Sequence, residues 1–90
     1  MAKARPSNLK STVIASNDVE GVAVYDGKGK KIGTVDHLVI EKLSGRVVSV
    51  VITVGGFLGI GHSHCQVLWA ALRYSTRLNA YETDATPEPV

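Results

Sequence analysis

Apolar residues recur along this chain in short runs separated by turn signals. The run "GVAVY", Gly21 to Tyr25, is of strand type, and "DGKG", Asp26 to Gly29, is a hairpin turn signal. "KKIGTVDHLVIEK" predicts a longer strand, with Gly33 marking a bulge or bend inside it. "LSG", Leu43 to Gly45, supplies the next turn, and "RVVSVVITV" is the strongest strand pattern in the sequence. There Val48, Val50, Ile52 and Val54 share one side and are expected to face the core, while Val47, Ser49, Val51 and Thr53 share the other. A solvated face would be more polar than this second one. It is therefore expected to be covered by another strand, a bound partner or a second copy of the chain.

Past the glycine-rich stretch Gly55–Gly61, "HSHCQVL" alternates as a strand does, and "WAAL", Trp69 to Leu72, has the look of one helical turn. "RYSTRLNAYET" holds two short β runs around a turn near Leu78–Asn79. The pattern predicts about six short strands spaced by roughly ten residues, and no helical stripe exceeds two turns. The fold class is all-β. The polar, proline-containing ends set the limits: residues 1–8 as a disordered tail, 9–82 as a single domain, 83–90 as a second disordered tail.

Composition narrows the function classes. Ninety residues allow one small domain with a thin core. The net charge is +2, and the segment between the basic start and the acidic end also carries +2, from seven basic and five acidic residues. That field is too weak to argue for nucleic acid, and Arg46, Arg73 and Arg77 are scattered rather than striped. One cysteine allows no internal disulfide, which favours a reducing compartment. The start "MAKARPSNLK" has no apolar signal segment, and Val47 to Gly61 is too short and glycine-rich to span a bilayer. The expected location is the cytoplasm.

The segment Thr53–Trp69, "TVGGFLGIGHSHCQVLW", concentrates the candidate chemistry. Gly56 to Ser63 reads G-x-x-x-x-G-H-S, one residue from a phosphate loop. His62 replaces the lysine that such a loop needs, and a strand pattern follows where a helix N-terminus is required. The bland reading is a long inter-strand loop, with Phe57, Leu58 and Ile60 either folded over one end of the fold or exposed as a contact surface. On a strand His62 and His64 project to one face and Cys65 to the other. Two histidines fall short of the three or four protein ligands that zinc takes. His62, His64 and Cys65 are thus metal candidates only under an alternative, metal- or redox-responsive reading. No general base is placed to activate the thiol, so no catalytic residue is assigned and no cofactor is expected.

The stretch "GGFLGIG" followed by "WAALRYSTRLNAY" resembles the PRC-barrel domain, the module of the cytoplasmic part of the photosynthetic reaction-centre H subunit. A related copy occurs in a bacterial ribosome-maturation factor that binds a ribosomal protein. "VEGVAVYDGKGKKIGTVDHLVIEKLSGRVVSVVITVGG" fits the two hairpins that open that domain. The resemblance covers about Leu9 to Tyr81. It implies a compact, strongly bent six-stranded β-barrel with one short helical turn, and Gly55, Gly56, Gly59, Gly61 and Trp69 as structural motif residues. It also implies a bacterial, non-enzymatic adaptor that docks onto other proteins. Relatives often carry proline just before the tryptophan, where this chain has Leu68. The H-x-H-C cluster is no part of the family pattern, so the resemblance supports no metal role for it.

The resulting expectation is a homodimeric adaptor with Val47, Val51, Phe57, Leu58 and Ile60 as contacts. Its further protein partner is unnamed, and peripheral association with a membrane complex is left open. An RNA- or ribosome-associated module is the competing reading.

Overall fold

The computed structural model describes residues 12–55 and 62–90, with His62 as backbone alone. A short helix α1, Ser16–Val19, leads into strands β1 (Ala23–Asp26), β2 (Lys31–Ile40), β3 (Val47–Gly55) and β4 (His62–Leu68). A single 3-10 turn, Trp69–Ala71, joins β4 to β5 (Leu72–Ser75), and β6 (Ala80–Thr83) and β7 (Glu88–Pro89) follow. All seven strands form one sheet in the order β5-β6-β1-β2-β3-β4-β7. The chain is mostly β, as its hydrophobic pattern predicts.

β1 to β4 form an antiparallel meander, and the two described turns each have a local cause. In the first, the Asp26 carboxylate accepts from Lys28 N at 2.8 Å and Lys30 N at 2.9 Å. Gly29 supplies the left-handed φ of 85° there. In the second, Glu41 N donates to Arg46 O at 2.8 Å, and Gly45 (φ 78°) donates to Glu41 O at 2.8 Å. The bulge expected at Gly33 is present, since Val24 pairs with Gly33 but Tyr25 with Lys31. A second one sits at Asp36, which is skipped between the pairs Val35–Ile52 and His37–Val51.

The sheet is open, yet the chain forces it to curl. From β4 to β5 there are five strand-to-strand steps in the sheet order; laid flat they would span about 24 Å. Leu68 and Leu72 are separated by only four residue steps, at most about 15 Å of chain. The two ends of the sheet are therefore rolled toward each other. Contacts across the seam agree. Trp69, after β4, packs on Tyr81 of β6 with ring centroids 5.8 Å apart. Thr83 of β6 donates its hydroxyl to Ala71 O at 2.7 Å.

Inside the curl lies the core: Val19, Val24, Val35, Val50, Ile52, Val67 and Tyr81. β3 runs through its centre and is buried on both sides. Val50 and Ile52 are fully buried as expected, but Val48 is 44% exposed. On the opposite face Ser49 and Val51 are only 3% and 5% exposed within the single chain. They sit between flanking residues of β2 and β4, in the rows Val39–Ser49–Leu68 and His37–Val51–Gln66.

Three expectations are corrected. Among the described residues the sheet has seven strands rather than six, and it is rolled without closing into a barrel. The helical content includes α1 as well as the turn at Trp69. Residues 83–90 are not a disordered tail, because Thr83 is a fully buried part of β6 and Glu88–Pro89 pairs with β4. The tail 1–8 lies outside the described residues.

Candidate functional site

The end of the meander that carries the β2–β3 turn is apolar and open. Val39 and Leu68 flank Ser49 in one row across three strands, and Ile40 pairs with Val47 in the next. Leu68 is 62% exposed, Ile40 51% and Leu43, at the turn itself, 91%. With Val39 and Val48 these are exposed apolar side chains around one end of the meander, four on strands and Leu43 on the turn; Val39 and Leu68 share the face of Ser49, which Val48, its neighbour along β3, does not. A single exposed leucine is ordinary; five large apolar side chains grouped at one end are the pattern of a contact surface.

Of the contacts expected from sequence, Val51 is buried inside the chain and Val47 half-buried at the edge of this surface. Phe57, Leu58 and Ile60 lie outside the described residues, as do the motif glycines Gly56, Gly59 and Gly61. Gly55 ends β3 with φ 89°, a left-handed conformation that glycine tolerates. Trp69 stands at the seam, against Tyr81. What the sequence reading missed is the exposed set Val39, Ile40, Leu43, Val48 and Leu68. Strict alternation placed Val48 inside and Val39 and Leu68 nowhere in particular. The signal that could have found them is position: all lie where the meander runs out beyond the core.

Next to this surface is a polar group. The bulge at Asp36 turns it and His37 to the same side, so His37 Nδ1 and Asp36 Oδ2 are 2.6 Å apart. That contact is the main reason the Asp36 carboxyl titrates below its usual range, with His64 nearby as a weaker contributor. Thr53 Oγ1, at 3.5 Å from Asp36 Oδ1, adds a long contact. His64 is exposed, whereas Cys65 is half-buried against the core, so the two side chains leave β4 on opposite faces. Among the described residues no group of three or more His, Cys, Asp or Glu side chains is placed to hold a metal ion.

An open groove of about 550 Å³ lies between the β1–β2 turn and residues 83–87. Its acids are engaged elsewhere: Asp26 binds its own turn, and Asp84 Oδ2 lies 3.5 Å from Arg73 Nη1. Arg73 also faces Glu82, with Nε 3.5 Å from Oε1, so this arginine is matched by acids rather than offered to a phosphate backbone.

These features define a class before a family: a small, tightly rolled β module with an exposed apolar end. The sequence profile of the PRC-barrel domain matches residues 11–88, and the chain belongs to the PRC-barrel family. No curated protein matches it. Among the described residues no helix is long and apolar enough to cross a membrane.

Proposed function

We propose that this chain is a non-enzymatic interaction module that works by protein–protein contact, with a second copy of itself as its first partner. The observation that carries the reading is the exposed apolar end of the meander, with Val39 and Leu68 side by side on one face of it, on a PRC-barrel domain. Burying such residues in a partner removes apolar area from water at about 25 cal/mol per Å². Strands hold the surface rigid, which lowers the entropy lost on docking. No metal or cofactor is needed in this reading. The single free thiol, Cys65, fits a reducing, cytoplasmic setting.

Light scattering at micromolar concentration tests it. The intact chain is expected at twice its monomer mass. The double variant Val39→Lys/Leu68→Lys is expected to be monomeric with an unchanged melting temperature, because both side chains are already solvent-facing. A monomeric intact chain would remove the dimer. Affinity capture, compared between the intact chain and the variant, would then decide whether the same surface serves another protein. Capture indifferent to the variant would overturn the assignment of the surface.

A further inference from the structure

β4 has seven residues, His62–Leu68, and none of them is a lysine, a glutamate or a proline. Strands at a sheet edge normally carry such residues to discourage pairing with another chain. Here they stand on the strand that lies against β4. β7 consists of Glu88 and Pro89, which pair with Gln66 and Cys65, and Val90 N donates to His64 O at 3.1 Å. β7 is a weak cover: both residues are exposed, and Pro89 has no N–H to donate.

The bond onto His64 O shows that this carbonyl points away from β3. In an antiparallel ladder every second residue aims both its N–H and its C=O to the same side. His62, His64, Gln66 and Leu68 therefore offer their backbone groups outward. Two antiparallel copies of β4, related by a two-fold axis at Cys65, place His64 opposite Gln66 of the second copy and His62 opposite Leu68 of the second copy. Every outward-aimed residue then meets another outward-aimed residue, over the whole strand. Cys65 faces its own counterpart in a non-hydrogen-bonded pair, with Cα atoms about 4.5 Å apart. This register is self-complementary, as a two-fold interface must be.

We propose that the outer edge of β4 is a pairing site for a second copy of this chain, and that residues 86–90 cover it in the isolated chain. The cover and the second copy compete for the same groups on His64 and Gln66. The proposal rests on the interaction-module reading above but uses a different surface.

Deleting residues 86–90 tests it. By light scattering the variant is expected to be larger than the intact chain: twice the monomer mass beside a monomeric intact chain, and more than twice beside a dimeric one. Mild oxidation with diamide is expected to link it through Cys65–Cys65, since about 4.5 Å between Cα atoms suits a disulfide. Adding Cys65→Ser should abolish the covalent link and keep the dimer. A folded monomer by circular dichroism, or a dimer whose Cys65 does not cross-link, overturns the proposal. In case the deletion unfolds the chain, Glu88→Pro keeps its length and removes the N–H opposite Gln66. It is expected to speed Cys65 cross-linking several-fold over the intact chain, and an unchanged rate overturns the proposal. Cross-linking by either variant beside a monomeric intact chain supports this edge and removes the apolar-end dimer. A dimeric intact chain with no cross-linking in either variant does the reverse.

Discussion

Gly33 shows how one residue holds two strands in register. A Cβ built there would overlap Thr53 O, a backbone atom that cannot turn aside. Gly33→Ala is expected to cost about 1–3 kcal/mol, the range for overpacking, at its upper end because the obstacle is main chain. A denaturation midpoint shifted down with an unchanged slope would show it. Asp26 makes a different kind of contribution. Its carboxyl is held below the ordinary aspartate range by the N–H groups of Lys30 and then Lys28. The folded state thus binds its proton less readily than the unfolded state. The stability it adds is present above about pH 4 and is lost as pH falls through the lowered value. Asp26→Asn should flatten the acid limb of a melting-temperature profile in that range and leave its shape near neutrality alone. At this scale the sequence was partly readable. Val50 and Ile52 alternate inward as their pattern says, and Gly33 sits at its bulge. Ser49 and Val51 are buried within the chain, on the face that reads as too apolar to be solvated, and β3 lies between β2 and β4. Its second face is flanked by His37 and Gln66, which no local pattern records.

Turns made the elements readable. "DGKG" and "LSG" each place a left-handed glycine where a hairpin needs one, and Asn79, with φ 53°, does the same between β5 and β6. Two elements escaped. α1 is four residues long and its pattern, "SNDV", is too short for a periodicity. β7 reads as a frayed end because proline usually excludes a strand, and only an edge position admits it. For the candidate site, an apolar contact was expected on Val47, Val51 and the glycine-rich loop. Val51 is buried and the loop residues lie outside the described residues, while the strand ends around Leu68 are exposed. Beside the Trp69–Tyr81 ring contact, one hydroxyl ties β6 to the turn after β4. Thr83 Oγ1 donates to Ala71 O at 2.7 Å and accepts from Ala85 N at 3.0 Å, in a residue with no exposed surface. Thr83→Val keeps the shape and orphans both backbone groups. It is expected to cost about 1–3 kcal/mol, read as a lower melting temperature with the native circular dichroism spectrum retained.

The molecule as a whole is a roll whose two ends are fastened by a three-residue turn and by the ring cluster of Trp69, Tyr81 and Tyr74, tilted and edge-on to one another. Burial raises the Tyr81 hydroxyl above its ordinary pKa, with Tyr74 as a lesser influence, so Tyr81 stays uncharged across the physiological range. One join in the roll differs from the rest. β1 and β6 pair in parallel, Val24 beside Tyr81 and Asp26 beside Thr83, whereas β1 to β4 are linked neighbour to neighbour. Bringing Val24 to Tyr81 closes a loop of more than fifty residues, while each hairpin closes a short one, and loop-closure entropy grows with length. Time therefore enters the architecture. The meander is expected to form first and the β1–β6 seam to zip last. In a chevron analysis Val50→Ala, in the meander, should slow folding. Tyr81→Leu, at the seam, should chiefly speed unfolding. The opposite assignment would mean that the roll starts from its seam. The last part to form is also the first to open, and a chain caught before the seam zips shows its core to its neighbours.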